Sequence, residues 1–584
     1  MCGIFLLFNN FTTPNNVDTS KSIEKCFMRG KSRGPEFSTL VKWNMGITAG
    51  FHRLAINGLD SESNQPITVE TDSGPVNIIC NGEIYNYKEL YKMLDITKPA
   101  TNSDCEVIIH MYIKYGIEYT LKSLDGVFAF ALQDSRNQDY SVYIARDPYG
   151  VRPLYMAEFN NLNLNITSKD IPNYCFASEM KSLIDLPKDY YGGAVETNIK
   201  QFTPGTYSKL HFPNQACGNW IIEKNEVSYT SLPFSYYNHY SYIENLEELY
   251  PIIRDSLTKA VEKRVNNTER PIACLLSGGL DSSLITALVC KFYNKEKNGP
   301  LKTFSIGMPG SEDLKYAQQV ADYLGTDHTS VEISEEEFFD AIPRVIYAIE
   351  SYDTTTVRAS VGNYLISEYI SKNCDAKVIF NGDGADEVMG GYMYFHKCPD
   401  SYEFDKECRR LVENIHNFDV QRSDRCISSH GLEPRTPFLD RGFVQTYFSI
   451  SQPDRYFVDK EGQREKYLIR KAFDSENILP KDVLWRVKEA FSDGVSSQKK
   501  SWFQVIQDKI ESLDIRFYKT QYTINPPLTK EQNYYRDIFE KFFEKQGNVI
   551  PYFWMPNFVE DAHDASARTL DVYNENMQTS KTVE

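Results

Sequence analysis

The chain has 584 residues, too many for one hydrophobic core, so at least two domains are expected. Its 41% hydrophobic and 24% charged residues are those of a globular protein in water, and no apolar run is long enough to span a bilayer. A net charge of −17 excludes a nucleic-acid scaffold, which needs a basic face, yet leaves room for anionic small substrates received by local cations or a metal.

The chain opens with MCGIFLLFNN, placing Cys2 directly behind the initiator methionine and ahead of an apolar run. No basic residue precedes that run and no small-residue cleavage site follows it. A secretory signal is therefore not expected, and a reducing, cytoplasmic compartment is. The 12 cysteines are scattered singly with no CxxC pair, so neither a zinc site nor a disulfide framework is expected, and most should be small core residues. Cys2 is either one more core residue or a nucleophile uncovered when Met1 is removed.

From Cys2 to about Leu210 the pattern is strand after strand: CGIFLLFN, GITAGFHRLAI, VNIICNGE, GVFAFALQD, SVYIARD and YCFASE. Several are apolar on both faces, which suits strands sandwiched between other layers. One helix is marked in SDCEVIIHMYIKYG, where Ser103 and Glu106 have capping-box spacing and Gly116 is the expected stop. The stretch 211–240 is irregular and is read as a linker.

The second half alternates strands and helices. PIACLL precedes a glycine loop and the helix SSLITALVCKFY; KTFSIGM, DLKYAQQVADYLG, TSVEI, YLISEYISKN, KVIFNG and ADEVMGGY continue the alternation. This rhythm predicts a doubly wound parallel sheet with ligands at the carboxyl ends of its strands. The boundaries expected are 2–210, 211–240, 241–560 and a polar tail 561–584, read as a mobile extension.

CLLSGGLDSSL runs strand, small-residue turn, helix, and aims backbone N–H groups and a helix N-terminus at one point, an anion cradle. It lacks the lysine of a Walker A loop. Asp281 is odd in an anion site unless a cation bridges it to phosphate, and Mg²⁺ suits carboxylate and phosphate oxygens. NGDGADEVMGGY repeats the logic: Asp386 and Glu387 either stabilise a helix start or join the same site.

MCGIF, FHRLAI, NGEIYN, SDCEV, DGVFAFAL, ARDPYGVRPLY, LSGGLDSS, ESYDTTTVRAS, GDGADEVMGGYMYFHKCP, EPRTPFLD and VLWRVKEAFSDGV occur in the order seen in glutamine-dependent asparagine synthetases, which the chain resembles over roughly residues 2 to 560. The resemblance implies an N-terminal Ntn-hydrolase αββα glutaminase and a C-terminal ATP-pyrophosphatase-type α/β synthetase. The implied reaction makes L-asparagine from aspartate, ATP and glutamine-derived ammonia through β-aspartyl-AMP. It implies Cys2 as N-terminal nucleophile, with Asn81 and Gly82 as oxyanion donors beside Glu83. Arg53 would hold the glutamine α-carboxylate and Asp104 its α-ammonium, with Leu54, Ala55, Ile56 and Asn57 completing that site.

In the second domain Ser277, Gly278, Gly279 and Ser282 would bind the pyrophosphate moiety, and Asp281 with Asp386 would ligate Mg²⁺. Leu276, Ile306, Asn381 and Gly382 match positions that contact the nucleotide. Arg358 and Lys488 match cations near the phosphates or the acyl-adenylate, with surface salt-bridge formation as the alternative reading of either. Partners implied are glutamine, aspartate and ATP, with no nucleic acid and no membrane, in a homodimer. Ammonia released in water would be protonated, so two sites on one chain imply a sheltered passage. One departure stands out: the family pattern SGEGSDE or SGEGADE reads NGDGADE here, placing Asp383 where a glutamate accepts a proton from ammonia. The shorter acid predicts a slower synthetase. It also leaves an alternative, a weakened or regulatory paralogue that binds glutamine or nucleotide without turnover.

Overall fold

A computed structural model describes residues 1–9, 20–159, 173–187, 197–213, 218–232, 245–458, 460–488, 491–497, 500–513, 515, 522–559, 564 and 566. Two compact units emerge. The first holds Met1–Ser231 with Ser428–Leu432 and Phe543–Val549; the second holds Leu232–Ile427, Glu433–Phe542 and Ile550–Glu584.

The first unit is built on twelve strands. They are β1 (Gly3–Leu7), β2 (Phe37–Trp43), β3 (Ile47–Arg53), β4 (Ile67–Thr71), β5 (Gly74–Ile84) and β6 (Gly126–Asp134), followed by β7 (Ser141–Arg146), β8 (Tyr155–Phe159), β9 (Asn173–Ala177), β10 (Thr197–Gln201), β11 (Thr206–His211) and β12 (Ile221–Ser228). They form two antiparallel sheets, ordered β10-β8-β9-β1-β3-β2 and β12-β11-β7-β6-β5-β4. Ile4, Leu6, Ala49 and Phe51 of one sheet meet Ile79, Ala129, Ala131 and Ile144 of the other in a shared core. The outer face of the second sheet packs Ile78, Cys80, Phe128 and Phe130 under the helices Tyr87–Leu94 and Val107–Ser123. Phe27 of the helix Ser20–Met28 sits edge-on to Phe5 on the outside of the first sheet, at 6.0 Å. Burial on both faces is why these strands read as continuous apolar runs instead of alternating ones.

Three local readings change. β12 lies inside the segment read as a linker, and pairs with β11 through an irregular register; the polar residues of its IIEKNEVS hid it. Ser103 caps Cys105 N at 3.3 Å, but Glu106 does not complete a capping box. Its carboxylate accepts from Ala100 N at 2.9 Å and Thr101 N at 2.6 Å. Gly116, with φ of 76°, breaks the helix as expected, though helical turns resume to Ser123.

The second unit carries a parallel sheet, ordered β15-β14-β13-β16-β17, from β13 (Ile272–Leu275), β14 (Lys302–Gly307), β15 (Asp327–Glu332), β16 (Val378–Phe380) and β17 (Glu433–Arg435). The chain runs β13, β14, β15 to one side, then returns to place β16 on the other side of β13. The carboxyl ends of β13 and β16 are thus the switch point where such sheets open a crevice. Both glycine loops spring from it. Apart from Asp564 and Ser566, the tail expectation lies outside the described residues. No helix among the described residues is long and apolar enough to cross a membrane. Most described cysteines are buried and all of them are free thiols, as expected of small core residues.

Candidate active sites

In the first unit, Cys2 precedes β1 and is half-buried, while Met1 is 1% exposed. The Cys2 backbone N–H donates to Asn81 Oδ1 at 3.1 Å, and Cys2 Sγ lies 3.7 Å from Leu54 O. Asn81, on β5, is fully buried, and its Nδ2 has no partner among the described residues. A buried amide N–H without an acceptor is costly unless something arrives to accept it. Beside it, Gly82 lets β5 close on β6: an added Cβ would fall 2.3 Å from Val127 O.

A side chain that sequence reasoning passed over anchors this centre. Arg33 is 0% exposed; its Nε donates to Cys2 O at 2.9 Å and its Nη1 to Glu179 Oε1 at 3.2 Å and Ser428 Oγ at 3.0 Å. In sequence, GKSRGP reads as a basic surface turn. Around the rim, Asn57 Nδ2 donates to Glu83 Oε2 at 2.7 Å, Ala55 N to Glu36 Oε2 at 2.8 Å, and Ile84 N to Asp104 Oδ2 at 2.7 Å. Leu54 and Ile56 are buried. Arg53 turns its terminal nitrogens onto its own loop, donating to Asp60 O at 2.9 Å, Asn64 Oδ1 at 2.6 Å and Gly58 O. Neighbouring His52 stacks on Phe27 at 3.9 Å, and burial pushes its imidazole down to about 4, so it stays neutral near pH 7.

In the second unit a cavity at the carboxyl ends of the sheet is lined by Leu276, Ser277, Gly279, Asp281, Ser282, Ile306, Asn381, Gly382, Asp383, Asp386 and Lys488. The loop after β13 enters the helix Leu280–Phe292 without a side-chain cap, leaving first-turn N–H groups facing the cavity. Ser277 Oγ and Ser282 Oγ are 3.0 Å apart and brace the turn. Gly278 has φ of 73° and packs away from the cavity; a Cβ there would sit 2.4 Å from Ala317 N. That close approach is why a glycine stands there. Gly382 brings the second loop against the first, where a Cβ would meet Ser282 N at 2.8 Å.

Two acids from these loops converge on lysines. Lys466 Nζ lies 2.7 Å from both oxygens of Asp281 and 2.6 Å from Asp386 Oδ1; Lys488 Nζ lies 2.6 Å from Asp386 Oδ2 and 3.5 Å from Asp281 Oδ2. Burial alone would push the Asp386 carboxyl up, but the two ammonium groups outweigh it and hold it well below the usual carboxylate range. Burial likewise opposes the Lys488 charge, and the two aspartates overcome it, raising its pKa. Lys466 carried no motif signal, since it lies in GQREKYL far from either glycine loop.

A second charged cluster joins Asp383 and Glu387 to three residues without a motif signal, Tyr392, Asp419 and Arg422. Arg422 Nη2 donates to Asp383 Oδ1 and to Asp419 Oδ1, both at 2.8 Å, and Asp383 Oδ2 is buried without a partner among the described residues. Tyr392 Oη lies 2.5 Å from Glu387 Oε1 and 3.0 Å from Asp419 Oδ2. Burial, then Asp419, pushes the Glu387 carboxyl well up. Asp419, although buried, is held down by Arg422 and hydrogen bonds.

Arg358 is engaged in salt bridges, one of the two readings left open for it. It does not line the cavity: its guanidinium pairs with Glu531 at 2.8 and 2.7 Å and with Asp564 at 2.7 and 2.7 Å, and lies over Phe503 at 4.8 Å. The two carboxylates hold it in bidentate geometry. Arg486 also lines the cavity beside the first glycine loop, donating to Gly278 O at 3.2 Å and Asp313 Oδ1 at 3.0 Å.

Comparison with known proteins agrees with this two-site layout. A family model described as glutamine amidotransferase domain matches residues 1–211, and one described as asparagine synthase matches 252–406 and 399–566. The chain is 41% identical to asparagine synthetase [glutamine-hydrolyzing] of Gallus gallus, covering 99% of this chain and 100% of that one. It is 39% identical to the Homo sapiens protein of the same name, covering 98% and 99%. With both domains matched and the full length aligned, the chain belongs to the family of glutamine-hydrolysing asparagine synthetases.

Proposed function

We propose that this enzyme makes L-asparagine from L-aspartate, cleaving ATP to AMP and pyrophosphate and taking nitrogen from L-glutamine. The observation that carries the reading is the convergence of Asp281 and Asp386, from two separate strand-end loops, on one ammonium group in the cavity.

In the glutaminase unit, removal of Met1 converts the Cys2 N–H into a free α-amine held by Asn81 Oδ1. That amine takes the thiol proton as sulfur attacks the glutamine amide carbon, and returns it to the departing ammonia. Asn81 Nδ2 and the Gly82 N–H receive the developing oxyanion. Water then cleaves the thioester to glutamate. A glutamine carboxylate at Arg53 replaces Asn64 Oδ1, a neutral acceptor, with an anionic one, and Asp104 receives the α-ammonium.

In the synthetase unit the apolar wall at Leu276 and Ile306 receives the base, and the N–H groups of the loop after β13 receive phosphate oxygens. Two facing carboxylates beside that loop fit a divalent ion which completes its shell with phosphate and water, as Mg²⁺ does. Among the described residues no group of three or more acids, His or Cys is placed to hold a metal ion by itself. Asp281 and Asp386 would hold Mg²⁺, which would neutralise phosphate charge, and Lys466 and Lys488 would supply further positive charge beside it. The aspartate side-chain carboxylate attacks the α-phosphorus and pyrophosphate leaves. Ammonia then attacks the acyl carbon, AMP leaves, and Asp383 Oδ2 takes the surplus proton. That unpartnered oxygen favours turnover over a binding-only paralogue.

Adding aspartate, Mg-ATP and glutamine should release AMP, pyrophosphate and asparagine in equal amounts; a binding-only relative releases none. The small-molecule substrates support a cytoplasmic enzyme.

A further inference from the structure

The α-carboxylate and α-ammonium of glutamine sit on one carbon, so the two groups that receive them must keep a fixed separation. Arg53 and Asp104 come from different segments. Arg53 ends β3, and Asp104 precedes the helix Val107–Ser123. One residue touches both segments. Asp60 accepts from Arg53 Nη1 at 2.9 Å through its carbonyl oxygen, and its carboxylate reaches the other way. Oδ1 accepts from Ser63 N and Ser63 Oγ, both at 2.8 Å, and Oδ2 accepts from Asn102 Nδ2 at 2.8 Å. Asn102 stands two residues before Asp104, and its own N–H donates to Ser63 Oγ at 3.1 Å.

The Asn102 side of this bridge is a fixed post. Glu106 accepts from Ala100 N and Thr101 N, and Asp104 Oδ2 accepts from Ile84 N on β5. The Asp60 side is a loop wrapped around the Arg53 guanidinium, which donates to Gly58 O, Asp60 O and Asn64 Oδ1. Gly58 brings the two sides together. Its φ is 63°, and a Cβ there would fall 2.4 Å from Ser63 Oγ and 2.8 Å from the carbonyl carbon of Asn102. We infer that Asp60, bridged to Asn102, is a positioning residue for glutamine, fixing the guanidinium of Arg53 relative to the carboxylate of Asp104. This rests on the glutaminase reading above and adds a residue that acts through both ends of that site.

The bridge does more than cap a turn. Bonds from Asp60 Oδ1 to Ser63, three residues on, are what a local turn needs. The Oδ2 bond crosses to a residue 42 positions away and contributes nothing to that turn. Hydrogen bonds from Asn102 and Ser63 hold the Asp60 carboxyl down at about 2, so the bridge is charge-assisted throughout the neutral range.

The test exchanges donor and acceptor across the bridge, in the full chain. Asn102→Asp sets two carboxylates face to face and should raise the KM for glutamine about 10-fold. Glutaminase kcat should stay within about threefold, because the loss is one of binding. Adding Asp60→Asn to that variant restores one amide and one carboxylate, and should return the KM to within about threefold of wild type. Inhibition by L-glutamate, which carries the same α-groups, should weaken and recover in parallel. A KM for glutamine that is unmoved in Asn102→Asp, that stays raised in the exchanged pair, or that rises only with an equal fall in kcat overturns the inference. Synthesis from ammonium reports folding. Should Asn102→Asp lose that activity too, Asn102→Ala carries the test by removing one exposed side chain: its KM for glutamine should rise about threefold, and a wild-type value overturns the bridge. Arg53→Lys and Asp104→Asn separate the two readings. If neither raises the KM for glutamine, the glutamine site falls and this inference with it; if both do while the bridge variants do not, this inference falls alone.

Discussion

Replacing Lys466 with methionine removes one of the two ammonium groups that join the two glycine loops, and the one closer to Asp281. Lys466 Nζ sits 2.7 Å from Asp281 and 2.6 Å from Asp386, with its side chain 1% exposed. At an effective dielectric of about 20, each contact contributes roughly 6 kcal/mol of gross Coulomb attraction. Most of that offsets the desolvation of a buried ammonium. Removing one partner of such a network leaves uncompensated buried charge and costs about 3–5 kcal/mol. For a domain of this size that lowers Tm by roughly 6–20 °C, nearer the small end because the unit is large. The same substitution leaves two facing carboxylates, so Mg²⁺ should restore stability in the variant more than it raises it in the wild type. Calorimetry of the full chain with and without Mg²⁺ measures both effects. An unaltered Tm, or an equal Mg²⁺ response in both proteins, would refute the bridging role.

Asn81→Ala removes the unpartnered Nδ2 beside Cys2 and should lower glutaminase kcat by about 10²–10³-fold. Synthesis from ammonium should be unchanged, and parallel loss of both activities would contradict the assignment. Asp383→Glu restores the methylene that the resemblance leads one to expect and should raise the synthetase rate; an unchanged or slower rate in a folded variant would show that the shorter acid is no handicap. His52, lowered from 6.5 to about 4 by burial, makes the first unit acid-sensitive. The unfolded chain takes up the proton first, so stability present above pH 6.5 is lost as pH falls towards 4, by up to about 3 kcal/mol. His52→Asn should flatten that window in acid-unfolding curves, and an undiminished slope would assign the sensitivity elsewhere.

Much of both sites was legible because the chemistry is carried by contiguous backbone. Cys2, the NGE stretch and the two strand–glycine–helix turns each declare themselves within a few residues, and a parallel sheet with a switch point brings the turns together. What stayed hidden is contributed singly, from helices and loops far along the chain. Lys466, Arg422, Asp419 and Arg486 sit among ordinary charged residues, and nothing local distinguishes an ammonium that bridges two buried aspartates from one in solvent. Arg33 reads as a surface turn because its partners, Cys2 O, Glu179 and Ser428, are remote in sequence. Arg358 shows the opposite case: its motif marks it for the nucleotide, while the carboxylates that hold its guanidinium, Glu531 and Asp564, lie far downstream. β12 was missed because an edge strand with mostly exposed polar residues lacks the apolar run that marks its neighbours.

The most direct measurement is asparagine formation by wild type and Cys2→Ala, each supplied once with glutamine and once with ammonium, after mass spectrometry of the wild-type N-terminus. The expected result is a wild type that lacks Met1 and uses both nitrogen sources, and a variant that uses ammonium at the wild-type rate but makes no asparagine from glutamine. Glutamine-driven synthesis that survives the substitution, or full activity in material that keeps Met1, would contradict a nucleophile at the mature N-terminus.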